Sequence, residues 1–185
     1  DIALWQGAAI ALAAMDGQRV KDHLALLIRD PDPEQRRRAA CALGRLREEW
    51  GIPSLGAAVA DAAARVRQQA AWALGYIPSL QAVRVLPRAL RGSSSEVRKA
   101  AACSLVRLGR APELLKVVVQ QLILALDDKE QVANLAEEAL CQIGPAALPQ
   151  LVAALDDRRL DRASRSRVAM ALRLTGWRWK SRSRA

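Results

Sequence analysis

The residues able to do chemistry are few and scattered. His23 is the sole histidine in 185 residues. It stands beside Asp22 on a segment of helical spacing, with no Ser or Cys near it in sequence. A catalytic imidazole needs a positioned proton partner and an orienting group, so His23 reads as a helix-face residue. Cys41, Cys103 and Cys141 lie far apart, and with one histidine they give none of the close ligand pairs that hold zinc. There is no glycine-rich phosphate loop. Asp127-Asp128 and Asp156-Asp157 are paired carboxylates, but they recur at the ends of apolar runs. Carboxylates placed there cap the next helix and complement its dipole. No catalytic residue, metal or cofactor is expected, and the chain reads as a noncatalytic protein.

Recognition chemistry is better represented. Trp72 and Tyr76 stand one helical turn apart, and Trp177-Arg178-Trp179-Lys180 alternates aromatic and basic side chains. Aromatic residues beside arginine are the composition of interface hot spots. Which of them share a surface depends on the elements that carry them.

Those elements are helices. Hydrophobic residues make up 51% of the chain, yet aromatics are only 3% and phenylalanine is absent. Ala and Leu dominate, a composition suited to close-packed helices and not to sheets. The sequence repeats itself. Gln35 to Gly44 (Gln-Arg-Arg-Arg-Ala-Ala-Cys-Ala-Leu-Gly) lies over Val66 to Gly75 (Val-Arg-Gln-Gln-Ala-Ala-Trp-Ala-Leu-Gly) at a spacing of 31 residues. The same spacing leads forward to Val97–Leu105 and back to Leu4–Leu12. A fifth copy starts at Val132 after 35 residues, and a sixth lies near Ser164. Other amphipathic runs fall between the copies, near 18–29, 52–60, 80–91, 112–127 and 146–156. Each unit is therefore helix A, a short polar turn and helix B. In one B helix, Val66, Ala70, Ala73, Leu74 and Ile77 share a face. No single hairpin can bury such a face alone, so the units must stack.

The pattern Asp-Pro-Asp-Pro-Glu-Gln-Arg-Arg-Arg-Ala-Ala-Cys-Ala-Leu-Gly, Asp30 to Gly44, resembles the HEAT repeat. More narrowly it resembles the short HEAT-like repeat of phycobilisome (bilin) lyases, and Val66 to Gly75 matches as well. The resemblance covers nearly the whole chain. It implies an all-α fold, a right-handed α-solenoid of stacked antiparallel hairpins. The stack spans 1–176, with an orphan helix at 2–15 and hairpins at about 18–47, 51–78, 80–109, 111–144 and 145–176, followed by a basic tail at 177–185. The orphan helix carries Ile2, Leu4, Trp5, Ile10 and Leu12. An apolar solenoid end needs a cap, so a parent protein continuing upstream, or another chain, is expected to cover it. Two departures stand out: the fourth linker is longer, and Ala133 replaces the arginine found at Arg36, Arg67 and Arg98. Pro87 and Pro149 fall inside A helices, where proline kinks the helix; the resemblance implies such a kink, so the prolines fit the family.

In the family resembled, the arginine after valine pairs with an acid of the turn. Asp32, Asp61 and Glu96 are the available partners for Arg36, Arg67 and Arg98, which form a structural ladder. The resemblance also implies that B helices line the concave side. With Val66, Ala70, Ala73 and Ile77 inward, a rotation of about 100° per residue puts Gln68, Gln69, Trp72 and Tyr76 outward. Stacking then aligns Arg37, Gln68 and Lys99 on one rung line and Arg45, Tyr76 and Arg107 on another, with Trp72 between Cys41 and Cys103. These seven residues (Arg37, Arg45, Gln68, Trp72, Tyr76, Lys99 and Arg107) are the candidate contacts for a protein or peptide partner. The alternative is that Trp72 tucks between B helices and merely packs. The His-Glu pairs of HEAT-type di-iron hydroxylases are absent, and no Asp neighbours Trp72 in the manner of the HEAT-like alkylpurine DNA glycosylases.

The formal net charge of +10 suggests nucleic acid, but its distribution weakens that inference. Residues 158–185 hold ten basic residues and one acid, while the remaining 157 hold 19 basic and 18 acidic. Arg165, Arg173, Trp177, Arg178, Trp179 and Lys180 are the candidate contacts for an anionic partner. Nucleic acid is favoured there over a membrane surface, beside the plain reading of a frayed basic end. No segment has the apolar length of a membrane span, no secretory signal opens the chain, and the odd cysteine count fits free thiols. A cytoplasmic scaffold for protein–protein interaction is expected, with nucleic-acid binding or a bilin-lyase-like subunit as alternatives.

Overall fold

The computed structural model describes residues 17–157 and 160–175. All regular structure among these residues is helical. The orphan helix at 2–15 and the tail at 177–185 lie outside them. The chain divides into two compact units that meet between Leu108 and Gly109. The single run of repeats read from the sequence crosses this point, at the junction where the 31-residue spacing gives way to 35.

The first unit contains α1 (Gly17–Leu27), α2 (Pro33–Leu46), α3 (Ile52–Ala58), α4 (Ala64–Leu74), α5 (Leu80–Leu90) and α6 (Ser95–Leu108). Each odd-numbered A helix pairs with the even-numbered B helix after it, and the B helices stack: α2 lies along α4, and α4 along α6. The second unit contains α7 (Pro112–Ala125), α8 (Glu130–Ile143), α9 (Leu148–Leu155) and α10 (Arg162–Leu174), with α7 against α8, α9 against α10, α8 against α10 and α7 against α9.

Local chemistry sets the helix ends. Asp32 caps α2, accepting from the Glu34 N–H, and Pro33 follows at the first helical position, where its missing donor costs nothing. Asp161 caps α10, accepting from the Ser164 N–H at 2.6 Å. The Asp127-Asp128 pair does not cap α8 as expected. Lys129 occupies that cap position with no side-chain bond, and Asp127 instead accepts from the Ser164 hydroxyl at 3.0 Å. Ser164 stands where three other copies carry valine (Val66, Val97 and Val132), so its buried hydroxyl needs an acceptor, and Asp127 supplies one. Pro87 lies inside α5 as expected. Pro149 does not interrupt a helix: a 3-10 turn over Gly144–Ala147 precedes α9, which leaves Pro149 in the first turn.

The stacked faces are apolar and small. Val66, Ala70, Ala73, Leu74 and Ile77 of the α4 face are all buried, as are Ala39, Ala42 and Leu43 on α2 and Val97, Ala101 and Leu105 on α6. Burying each leucine contributes roughly 1.5–3 kcal/mol, while the alanines set the spacing. A Cβ built on Gly44 would lie 2.7 Å from the Cα of Ala73, and one on Gly75 would lie 2.8 Å from the Cα of Ser104. The same approach thus recurs one repeat later. At the second contact the Ser104 hydroxyl donates to the Ala71 carbonyl at 2.9 Å. That carbonyl belongs to the last turn of α4, where backbone acceptors lose their helical donors.

Arg36, Arg67 and Arg98 form a repeated brace, as expected, but its recurring acceptors are turn carbonyls, and of the three acids expected only Asp61 pairs with one of them, Arg36. Arg36 Nη1 donates to the carbonyls of Asp30 and Pro31, Arg67 Nη1 to those of Asp61 and Ala62, and Arg98 Nη1 to those of Gly92 and Ser93. Each guanidinium reaches back to turn carbonyls that no helix satisfies. Asp32 is engaged as a cap and Glu96 with the hydroxyls of Ser94 and Ser95. Asp61 serves the preceding repeat: Arg36 Nε and Nη2 donate to its two oxygens at 2.7 and 2.9 Å.

The bidentate Arg36 bond holds the Asp61 carboxyl below its ordinary value of 3.8. A depressed carboxylate adds stability above its unfolded value and loses it as pH falls through the folded one. Asp61→Ala is therefore expected to lower the melting temperature at neutral pH. The gap from the wild type should close as pH drops below 3.8, which thermal melts across a pH series would read. A constant gap would detach the effect from the ion pair.

Candidate functional site

The close approach of the B helices decides where their large side chains go. Gly44, Ala73, Gly75 and Ser104 fill the contacts between α2, α4 and α6. The large aromatic side chains of α4 and its end lie instead at the edge of the stack. Trp72 is half-buried there and Tyr76 is 42% exposed. Arg107, from α6, lays its guanidinium over both rings, 5.0 Å from the Trp72 centroid and 4.0 Å from that of Tyr76. Such stacking is worth about 0.5–1 kcal/mol at an exposed site. Its larger consequence is to hold the aromatic pair in one pose.

On the other side of the aromatic pair, α2 and α4 enclose a cleft of about 570 Å³. Gly44 and Ala73 form its small-residue floor, with Trp72, Tyr76, Gln69, Cys41, Arg45 and Arg47 around them. Arg47 ends α2 in the left-handed conformation, at φ 57°.

A model of HEAT repeats matches residues 1–75 and 52–141. The chain belongs to the HEAT-repeat family. No curated protein matches it. Among solved structures, the complex of CpcE and CpcF of phycocyanin lyase from Nostoc sp. PCC7120 is similar, with a TM-score of 0.54 and 26% identity over 82% of this chain and 63% of that one. This chain therefore spans less than two thirds of the lyase chain. An engineered protein has a TM-score of 0.53 at 22% identity, over 95% of this chain and 87% of that one. Kap95p, in a structure with RanGDP, has a TM-score of 0.53 at 14% identity, over 82% of this chain and 24% of that one. The last two show the fold alone.

Within the HEAT repeats, the other residues singled out by sequence distribute unevenly. Arg45, Trp72 and Tyr76 come together around the cleft, and Arg107 stacks on the two rings. Gln68 and Arg37 border a second cleft of about 550 Å³ with Glu34, Arg65 and Gln69. Arg37 is engaged on its own helix, where Nε and Nη2 donate to the Glu34 carboxylate at 2.8 and 2.7 Å. That bond lowers the Glu34 pKa to about 2. Lys99 is exposed on α6 and lines neither cleft. In the second unit, Arg165 and Arg173 are exposed on α10, and Arg165 Nε donates to the Asp161 carbonyl at 3.4 Å. Trp177, Arg178, Trp179 and Lys180 lie outside the described residues. His23 is exposed on α1, and no group of three or more His, Cys, Asp or Glu among the described residues could hold a metal.

The residue that sequence reading missed is Arg47. It lies past the end of α2, where helical periodicity no longer predicts direction.

Proposed function

We propose that this chain is a noncatalytic HEAT-repeat scaffold that binds a protein or peptide along its B-helix face, centred on Trp72. The observation that carries this reading is the stack of Arg107 on Trp72 and Tyr76 at the rim of the α2–α4 cleft. A tryptophan and an arginine held in one pose beside a cleft lose little freedom on binding, the property that makes such residues hot spots. The likeness to a complex of two protein chains, CpcE and CpcF, supports a protein partner. No helix among the described residues is long and apolar enough to cross a membrane, and the free thiols of Cys103 and Cys141 support a reducing, cytoplasmic setting.

The test is the double variant Trp72→Ala, Arg45→Ala, checked for folding by circular dichroism. Partners retained by the immobilised wild-type chain should be lost or weakened by at least roughly tenfold. Full retention by the folded variant sinks the reading.

The same lyase likeness favours a second reading, a bilin-lyase-like subunit. An absorbance change on incubation with a bilin would support it, and an unchanged spectrum would oppose it. Nucleic-acid binding through the basic C-terminal region is a further alternative. It rests on the ten basic residues of 158–185 and predicts steeply salt-dependent affinity. Deleting 177–185 and neutralising Arg165 and Arg173 should abolish it.

A further inference from the structure

We infer that the Trp72 cleft takes an acidic peptide segment, one in which an apolar side chain is flanked by aspartate or glutamate. The inference rests on the protein-binding reading above and names the chemistry of the partner. It begins with how α2 uses its arginines. Arg36 holds Asp61, and Arg37 and Arg38 hold Glu34. Arg45 and Arg47, at the other end of the helix, are exposed on the cleft and make no hydrogen bond or ion pair with a described residue. Arg107 stacks on the rings, and its Nη1 has no hydrogen-bond partner among the described residues. Arg45 and Arg47 therefore bring two guanidinium groups to one cleft, with no carboxylate among the described residues bonded to them. Guanidinium groups pair with carboxylates in a planar, bidentate manner.

The backbone at Arg47 is an independent observation. A residue with a side chain occupies a left-handed position that glycine adopts freely, and that side chain lines the cleft. Strain kept at such a point marks a functional demand on the side chain. The floor completes the description of the ligand. Gly44 and Ala73 leave room against Trp72 for an apolar side chain, between cations.

A nucleic acid fits less well. A polyphosphate backbone wants a continuous basic track. Here Glu48 and Glu49 follow Arg47 directly, Glu34 borders the adjoining cleft, and residues 1–157 are nearly neutral.

The experiment is fluorescence anisotropy on the full chain with three labelled peptides: alternating glutamate and leucine, glutamine and leucine, and lysine and leucine. The glutamate peptide should bind at least about tenfold more tightly than the glutamine peptide, and the lysine peptide least. Arg45→Glu with Arg47→Glu should invert that order. Equal binding of the three peptides, no binding of any, or unchanged preference in the folded charge-reversed variant overturns the inference. The last result would place the acidic peptide on the basic C-terminal region instead. A single-stranded oligothymidine that displaces the peptide and is itself lost on charge reversal would put nucleic acid in the cleft, and overturns it too. Binding of all three peptides that Trp72→Ala abolishes and charge reversal spares would overturn the acidic preference while leaving the B-helix face as a protein-binding surface. Binding that neither variant alters would overturn both readings.

Discussion

Gly75→Ala is expected to destabilise the first unit by about 2–3 kcal/mol, although alanine is the better helix residue. Two effects oppose one another. Gly75 ends α4 at φ −68°, which alanine adopts without strain. Removing glycine's freedom in the unfolded chain should then stabilise by roughly 0.4–1 kcal/mol. Against this, the new Cβ would lie 2.5 Å from Ser104 Oγ, 2.6 Å from its Cβ and 2.8 Å from its Cα. The Cα cannot rotate away, so α4 and α6 must separate. The Ser104–Ala71 hydrogen bond would be lost or bent as they do. Overpacking of this kind costs about 1–3 kcal/mol, and exposing the Ala71 carbonyl adds to it. The clash wins, and the melting temperature should fall by several degrees. Gly56→Ala is the matched control. Its Cβ would stand 3.6 Å from Val85 Cγ1, an ordinary contact, inside α3. That substitution should stabilise by roughly 0.5–1 kcal/mol. Thermal melts of the two variants should move in opposite directions. A rise for both would mean that the B helices do not approach as closely as Gly75 and Ser104 indicate.

This contact also shows how much could be read before any coordinates. The 31-residue copies place Gly44 over Gly75 and Ala73 over Ser104, so the fold follows from the repeat. The inward face of α4 followed as directly, because burial of Val66, Ala70, Ala73, Leu74 and Ile77 obeys helical periodicity. Polar detail was less legible. The arginine brace repeats, but its acceptors are turn carbonyls, and sequence shows side chains without showing which backbone groups are left over. Pro149 resembled an interrupting proline because periodicity does not separate a 3-10 turn from the first turn of α9. At the candidate site, the rung line joined Tyr76 to Arg107, and their rings and guanidinium do meet. Trp72 also meets Arg107, on a diagonal that depends on helix stagger, which a repeat length does not contain. Arg37 lay on a rung too, but Glu34, three residues before it, engages it.

Arg47→Gly should raise the melting temperature and weaken binding of an acidic peptide in one step. An L-residue in the left-handed region costs about 1–2 kcal/mol, which glycine avoids. The added freedom of glycine in the unfolded chain returns roughly 0.4–1 kcal/mol of that gain. About 0.5–1 kcal/mol should remain in favour of the variant, a rise of a few degrees or less. Arg47 makes no hydrogen bond or ion pair with a described residue that its loss would forfeit. The cleft, however, loses one of the two guanidinium groups that line it, and a charge-assisted bond is worth about 1.5–3 kcal/mol. Affinity for the glutamate–leucine peptide should therefore fall by about tenfold or more. The opposite signs give the experiment its force. A residue kept for packing would lower both stability and affinity when removed. A residue of no consequence would raise stability and leave affinity alone. Higher stability with lower affinity means that the strain at φ 57° is maintained for what the Arg47 side chain contacts outside the chain.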